Sequence, residues 1–140
     1  MSENRLAELP SSFSRLSSLE VLNLGMNELT GLPPAVGALS SLRVLNLSFN
    51  RLAALPTWPL GASLTALVDL DLSANALTAL PPALPPTLTS LHLTDNRLTA
   101  LPDDFGLHVP VLRRLALARN ALSALPASFP RLTRLRQLDL

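Results

Sequence analysis

The chain has 140 residues, 48% of them hydrophobic, and its eleven arginines and ten acidic residues leave a net charge of +1. This length and composition suffice for one domain with a continuous core, while the balanced charge and the single Trp argue against nucleic-acid binding, which normally needs a dense basic stripe with aromatic residues. The absence of cysteine excludes disulfide bonds and thiolate metal sites.

One spacing of leucines recurs along the whole chain. The pattern Leu-x-x-Leu-x-Leu-x-x-Asn-x-Leu describes residues 19–29, 42–52, 67–77, 88–98 and 112–122, and x-x-Leu-Pro follows each time. Its asparagine recurs every 21 to 25 residues, as Asn4, Asn27, Asn50, Asn75, Asn96 and Asn120. Such a period indicates a solenoid of stacked repeats, because one repeat cannot bury its leucines alone.

The leucine spacing also predicts the secondary structure of each repeat. The second and third leucines are two residues apart, so on a strand they point to the same side, and the residue between them points to the other. Stacked repeats then form a parallel sheet whose predicted strands are residues 21–23, 44–46, 69–71, 90–92, 114–116 and 137–139. Leu-Pro favours an extended backbone. Short 3₁₀ or helical segments should then return the chain, at residues 12–16, 35–39, 103–108 and 128–132.

These residues resemble the leucine-rich repeat family over essentially the whole chain. Most units resemble the intracellular Leu-Pro type of Ras-group scaffolds, and the unit at residues 67–87 resembles the short, double-proline type of bacterial effectors. The resemblance implies an α/β leucine-rich repeat solenoid. A curved parallel β-sheet would form its concave face, and short 3₁₀, helical or extended segments its convex face. We expect one domain over residues 1–140, with about five full repeats and a partial repeat at each end, as a fragment of a longer protein.

The cellular location and the membrane are two further points on which the sequence permits a prediction. Extracellular members of the family usually close their ends with disulfide caps, so the lack of cysteine predicts a cytoplasmic protein.

The uncharged run at residues 72–94 is long enough to cross a bilayer, but its four prolines would leave backbone groups unsatisfied in lipid. We therefore expect no membrane association.

The asparagine column invites a ligand-binding interpretation, because asparagine can bind sugars or metals. One asparagine per repeat at a fixed place instead favours a structural role, since an amide side chain at a tight turn satisfies backbone groups that the strand leaves unpaired. The proline-rich residues 81–86 are likewise interpreted as part of the return segment rather than as a ligand for another domain.

Function is predicted to lie on the concave face, where a protein partner would bind. The face is apolar and amide-bearing first, then acidic, then basic, and an exposed Phe beside Met and Val is typical of protein-binding patches. Phe49 could alternatively pack within its own turn. The candidate partner-binding residues are Val21, Asn23, Met26, Val44, Asn46, Phe49, Asp69, Asp71, His92, Asp95, Arg114 and Arg119. The uncapped ends could also permit self-association.

Catalysis and metal binding are two alternatives to this prediction. Asp71, His92 and Ser73 should be neighbours, and these residue types together can perform nucleophilic hydrolysis or bind a metal. An open sheet, however, offers neither a water-excluding pocket nor an oxyanion hole. We therefore predict a scaffold for protein interaction in intracellular signalling, with no enzymatic activity, metal or cofactor. The alternative is a recognition module of a larger enzyme, such as a kinase, GTPase or ubiquitin ligase.

Overall fold

Six short parallel strands form a single sheet, in which each strand pairs with the next one along the chain. The computed structural model describes residues 4–55 and 60–140. The strands are β1 Val21–Asn23, β2 Val44–Asn46, β3 Asp69–Asp71, β4 Ser90–His92, β5 Arg114–Ala116 and β6 Gln137–Asp139. All six coincide with the predicted strands, so the parallel α/β repeat solenoid is confirmed.

The register of the sheet follows from the leucine spacing. The second leucine of each repeat lies at the centre of its strand and pairs with its equivalents on the neighbouring strands, in the series Leu22, Leu45, Leu70, Leu91, Leu115 and Leu138. The residues on either side of it in the strand point away from the core, and most of them are half-buried or exposed. This outward side of the sheet is called the concave face below.

Short helical segments return the chain from one strand to the next. Three are 3₁₀ helices, at Ser11–Arg15, Pro34–Ala38 and Phe129–Arg131, and two are single α-helical turns, α1 at Leu60–Ser63 and α2 at Phe105–His108. The four predicted segments are confirmed to within two residues, but α1 was not predicted. Two prolines, at positions 56 and 59, precede it and obscured its pattern, and the Leu-Pro pair at 55–56 extends outside the described residues.

The repeat between β3 and β4 has no helix in its return segment, which is fully described. Four prolines at positions 81–86 remove the N–H groups that a helix needs, so the chain crosses the convex side without a helix. The short length of this repeat has the same origin, because an extended segment needs fewer residues than a helix to cover the same distance.

Stacked leucines fill the space between the sheet and the return segments. Leu70 and Leu72, in the middle of the stack, are 1% and 0% exposed. Burial declines at the two ends, where Leu16 on one side and Leu138 and Leu140 on the other are exposed. Among the described residues, no helix is long and apolar enough to cross a membrane.

Candidate functional site

The asparagine column forms a hydrogen-bond ladder along the stack. The Asn75 amide nitrogen donates to the carbonyls of Leu72 at 3.1 Å and of Leu47, in the preceding repeat, at 3.0 Å. Its carbonyl oxygen accepts the N–H of Leu52 at 3.0 Å. Asn50, Asn96 and Asn120 repeat these contacts, and Asn27 makes the corresponding bonds to Leu24 and Leu6. The bonding capacity of these amides is used by the turn backbone, while Asn4 lies exposed in the first partial repeat.

A second column of polar residues ends the strands on the concave face. The side-chain oxygens of Asn23, Asn46 and Asp71 each accept the N–H of the residue two positions later, at 3.0, 2.8 and 2.9 Å. These three side chains thus turn back over their own strand ends, as Asn and Asp commonly do at turns. Part of their hydrogen-bonding capacity is therefore used within the fold.

The Ser, His and Asp residues of the catalytic interpretation are not connected as that interpretation requires. His92 pairs with Asp71 in register, but its Nε2 lies 2.8 Å from the hydroxyl of Ser90, not Ser73. Ser90 is only 4% exposed, and the Asp71 carboxylate accepts the backbone N–H of Ser73. Within residues 4–55 and 60–140, no group of three or more His, Asp and Glu side chains could hold a metal ion.

Five equivalent residues form a column in the turns that follow the strands. Met26, Phe49, Ala74, Asp95 and Arg119 all have left-handed backbone conformations, with φ between 53° and 57°. Each of the first four donates its N–H to a carbonyl in the next repeat, at 2.8 to 3.0 Å. These residues, which we call the turn column, were expected on the strand face. The structure places them one turn beyond it, because the left-handed φ ends the alternation of the strand.

Exposed and half-buried apolar side chains lie in two pairs in the first two repeats, one pair at the start of the strands and one in the turn column. Val21 and Phe49 are 59% and 58% exposed, and Met26 is 42% exposed. Val21 pairs in register with Val44, and Met26 and Phe49 are neighbours in the turn column. Phe49 therefore does not pack down into its turn. We call these four residues the apolar patch.

The two charged members of the turn column pair with each other. Arg119 Nη2 donates to Asp95 Oδ2 at 2.6 Å, and Arg119 Nε donates to the other carboxylate oxygen. The hydrogen bonds from Arg119 hold the pKa of Asp95 below its usual range, and the same contact raises the pKa of Arg119. Two residues expected to contact a partner separately are thus bonded across neighbouring repeats.

A groove opens along the concave face at the start of the strands. It has a volume of about 540 Å³ and is lined on one side by Arg113, Arg114 and Arg136 and on the other by Val44 and Asp69. We call it the basic groove. Arg113 and Arg136 were not among the candidate residues, because they immediately precede their strands. The sequence feature that could have identified them is the column formed by the residue just before each strand, which contains Glu20, Arg43, Val68, Thr89, Arg113 and Arg136.

Comparison with known proteins agrees with this geometry. The family model described as "Leucine rich repeat" matches residues 2–52 and 86–140, and a model for two such repeats matches residues 40–85. The chain belongs to the leucine-rich repeat family. Leucine-rich repeat domains generally mediate interactions between proteins.

Individual relatives resemble the chain over different portions of its length. Lumican of Gallus gallus is 38% identical over 79 residues, which cover 55% of this chain and 23% of lumican. A leucine-rich repeat protein of Leptospira interrogans superimposes with a TM-score of 0.93 and 35% identity, over 98% of this chain and 35% of that one. The structure of the Toll–Spatzle complex of Drosophila matches with a TM-score of 0.85 and 31% identity, over 96% of this chain and 19% of that one. The chain thus spans about a quarter of the length of lumican.

The prediction of a cytoplasmic protein is wrong by this comparison, because lumican is a secreted extracellular matrix protein. The prediction gave too much weight to the missing cysteines. In the described residues, the leucine stack and the asparagine ladder hold successive repeats together without disulfide bonds. The absence of cysteine therefore does not report the compartment.

Proposed function

We propose that this leucine-rich repeat chain is a protein-interaction module that receives its partner on the concave face. The apolar patch is the observation that carries the proposal. Two of its members, Val21 and Phe49, are more than half exposed, although burying a side chain of this kind is worth about 1.5–3 kcal/mol. A partner that covers them would recover that free energy.

The backbone of the turn column supports the same proposal. Left-handed φ disfavours residues with a Cβ by about 1–2 kcal/mol, and Gly or Asn would relieve that strain. Here Met26 and Phe49 occupy such positions with exposed side chains. Neither residue contributes to the buried core, so stability does not explain them. Contact with a partner does, since aromatic residues and Met are enriched in interfaces.

Charged residues on the concave face extend the proposed binding surface beyond the apolar patch. Asp69 and Asp71 follow on β3, and Arg114 lies two strands further along. A matching partner would present an apolar anchor, then basic residues, then acidic ones. The six strands span five steps of about 4.8 Å across the sheet, and each three-residue strand is about 10 Å long, so the strands present roughly 240 Å². This is less than the ~800 Å² that each side of a standard interface contributes. Binding by this chain alone should be weak.

Affinity purification with variants of the chain tests the proposal. The immobilised wild-type chain and Phe49→Ala are incubated with the same extract from the source organism, and captured proteins are quantified by mass spectrometry. A specific partner should fall at least severalfold with Phe49→Ala, because loss of a buried aromatic anchor raises the dissociation rate. Reversal of the charge at Asp69, by Asp69→Arg, should reduce capture of the same partner because it slows association. The effect should fade at high salt.

The matched control lies on the convex side. Arg15 and Arg131 belong to two of the 3₁₀ helices there and are exposed. Changing both to Gln alters charge without touching the concave face. If these changes abolish capture while Phe49→Ala leaves it intact, binding through the concave face is disproved.

A further inference from the structure

We infer that the basic groove binds an acidic segment of a protein, and that Asp69 selects against ligands that are negatively charged throughout. The inference deepens the proposed function by naming the chemistry of one part of the partner, and it rests on that proposal. Three arginines line the groove, and a carboxylate lies on its opposite side. The argument rests on how these charges are arranged.

Arg113 and Arg136 occupy equivalent positions in neighbouring repeats. The Arg136 N–H donates to the Arg113 carbonyl at 2.8 Å, so the two backbones are adjacent, at the strand spacing of about 4.8 Å. Arg114 lies beside them on β5. Like charges placed opposite each other destabilise a sheet.

The part of the chain that the structure describes offers these three arginines no carboxylate at ion-pair distance. Its ion pairs involve Arg51 with Glu28 at 3.2 Å, Arg119 with Asp95, and His108 with Asp104. Two arginines elsewhere, Arg51 and Arg119, are neutralised in this way, whereas these three are exposed around one groove. A local arrangement that opposes stability is expected where a ligand supplies the missing charge.

Arginine also limits the chemistry of that ligand. The planar guanidinium donates two parallel hydrogen bonds, which match the two oxygens of a carboxylate. Neighbouring guanidinium groups in one groove would suit consecutive carboxylates, as in a run of Glu or Asp. The volume of about 540 Å³ falls within the ~300–1,000 Å³ typical of ligand sites.

The carboxylate of Asp69 argues for a protein segment over a uniform polyanion. Asp69 pairs with Ser90, which pairs with Arg114, so the carboxylate and the guanidinium belong to strands about two spacings apart, roughly 9.6 Å. A sulfated polysaccharide or nucleic acid long enough to reach the arginines would bring negative groups against Asp69. A protein segment can place carboxylates at the arginines and a basic or apolar side chain at Asp69 and Val44.

Fluorescence polarisation at physiological salt tests this inference with three kinds of probe. The first is a labelled peptide with two lysines at one end and four glutamates at the other, and its reversed sequence is measured with it. The second is an all-glutamate peptide of the same length, and the third is labelled dextran sulfate. The wild-type chain should bind one of the two mixed peptides most tightly.

The variants separate the groove from general charge effects. Arg114→Gln and Arg136→Gln should each weaken binding of the mixed peptide about tenfold, the factor that corresponds to about 1.4 kcal/mol. Arg131→Gln removes the same charge from the convex side and should change nothing. Asp69→Asn should abolish the preference, with tighter binding of the all-glutamate peptide and dextran sulfate. Circular dichroism and thermal melting establish that each variant is folded.

Two results would overturn the inference. Equal affinity of the wild type, Arg114→Gln and Arg136→Gln for the mixed peptide would show that the groove is not the site. Tighter wild-type binding of dextran sulfate, unchanged in Asp69→Asn, would assign the groove to uniform polyanions. Phe49→Ala should leave peptide binding unaffected because it lies outside the groove, so the groove can stand or fall separately from the apolar patch.

Discussion

The side-chain amide of Asn75 donates a 3.0 Å hydrogen bond to the backbone carbonyl of Leu47, which belongs to the preceding repeat. The same side chain also accepts the N–H of Leu52, so one residue joins two turns of the solenoid. Repeat proteins are stabilised largely by such contacts between nearest neighbours.

Replacing Asn75 by Ala should therefore lower the free energy of unfolding by about 1–3 kcal/mol, since it leaves partly buried backbone groups without partners. Urea denaturation followed by circular dichroism measures the change. Asn4→Ala is the control, because Asn4 is exposed, and it should have almost no effect. Equal stabilities of Asn75→Ala and the wild type would remove the structural explanation of the asparagine column.

The middle of the leucine stack should be the most sensitive part of the core. Leu72 is 0% exposed, and truncation to Ala should destabilise the chain by about 2–5 kcal/mol through lost burial and a residual cavity. Leu138, on β6 at the end of the sheet, is 41% exposed, and Leu138→Ala should lower stability far less. Chemical denaturation of both variants checks this. If Leu72→Ala lowered the free energy of unfolding by less than about 1 kcal/mol, the assignment of Leu72 to the core side would be contradicted.

Glycine should stabilise the chain at one position of the turn column. Ala74 has φ of 53°, a conformation that Gly adopts without strain. We expect Ala74→Gly to raise the free energy of unfolding by roughly 0.5–1 kcal/mol. Ala100→Gly, at an exposed position without positive φ, should lower it instead. A melting-temperature decrease for Ala74→Gly as large as that for Ala100→Gly would disagree with the turn geometry.

The ion pair between Asp95 and Arg119 makes a pH-dependent contribution to stability. Hydrogen bonds from Arg119 lower the pKa of Asp95 in the folded chain. A carboxylate of this kind stabilises the fold above its unfolded-state pKa, and that stabilisation is lost as the pH falls through the folded-state pKa. The stability difference between the wild type and Asp95→Asn should accordingly shrink below the ordinary carboxylate range.

Nuclear magnetic resonance can follow the Asp95 carboxyl directly during an acid titration. Arg119→Gln should shift its midpoint upwards, towards that of an ordinary aspartate, and Arg97→Gln serves as a charge-matched control. An Asp95 midpoint unchanged by Arg119→Gln would show that the pair does not persist in solution.

Exposed leucines at the two ends of the stack should promote self-association of the 140-residue chain. Leu138 and Leu140 are 41% and 65% exposed at one end, and Leu6 and Leu16 are 41% and 47% exposed at the other. Analytical ultracentrifugation should show an average mass that rises with concentration. Leu140→Asp should weaken this association, and a monomer at all concentrations, with protected amides in β1 and β6, would refute it.

Leucine and asparagine spacing was enough to locate every strand, because each repeat places the same residues at the same points of the sheet. Two local features were not predicted from the sequence. The segment α1 at Leu60–Ser63 lies behind prolines that break the usual signature, and the candidate columns omitted Arg113 and Arg136, which immediately precede their strands. The first depends on how a return segment packs, and the second on which side chains beside the strands line a common groove.

The sequence by itself determined the architecture of this leucine-rich repeat chain. The repeated motif Leu-x-x-Leu-x-Leu and an asparagine every 21 to 25 residues permit one way of burying the leucines, which is a stack in register. Only the tertiary structure decided which polar side chains remain available to a partner. Arg119 is bonded to Asp95 across a repeat, whereas Arg113 and Arg136 share an open groove. Hydrogen bonds between repeats depend on distances that no residue spacing specifies, so arginines alike in sequence differ in what they can bind.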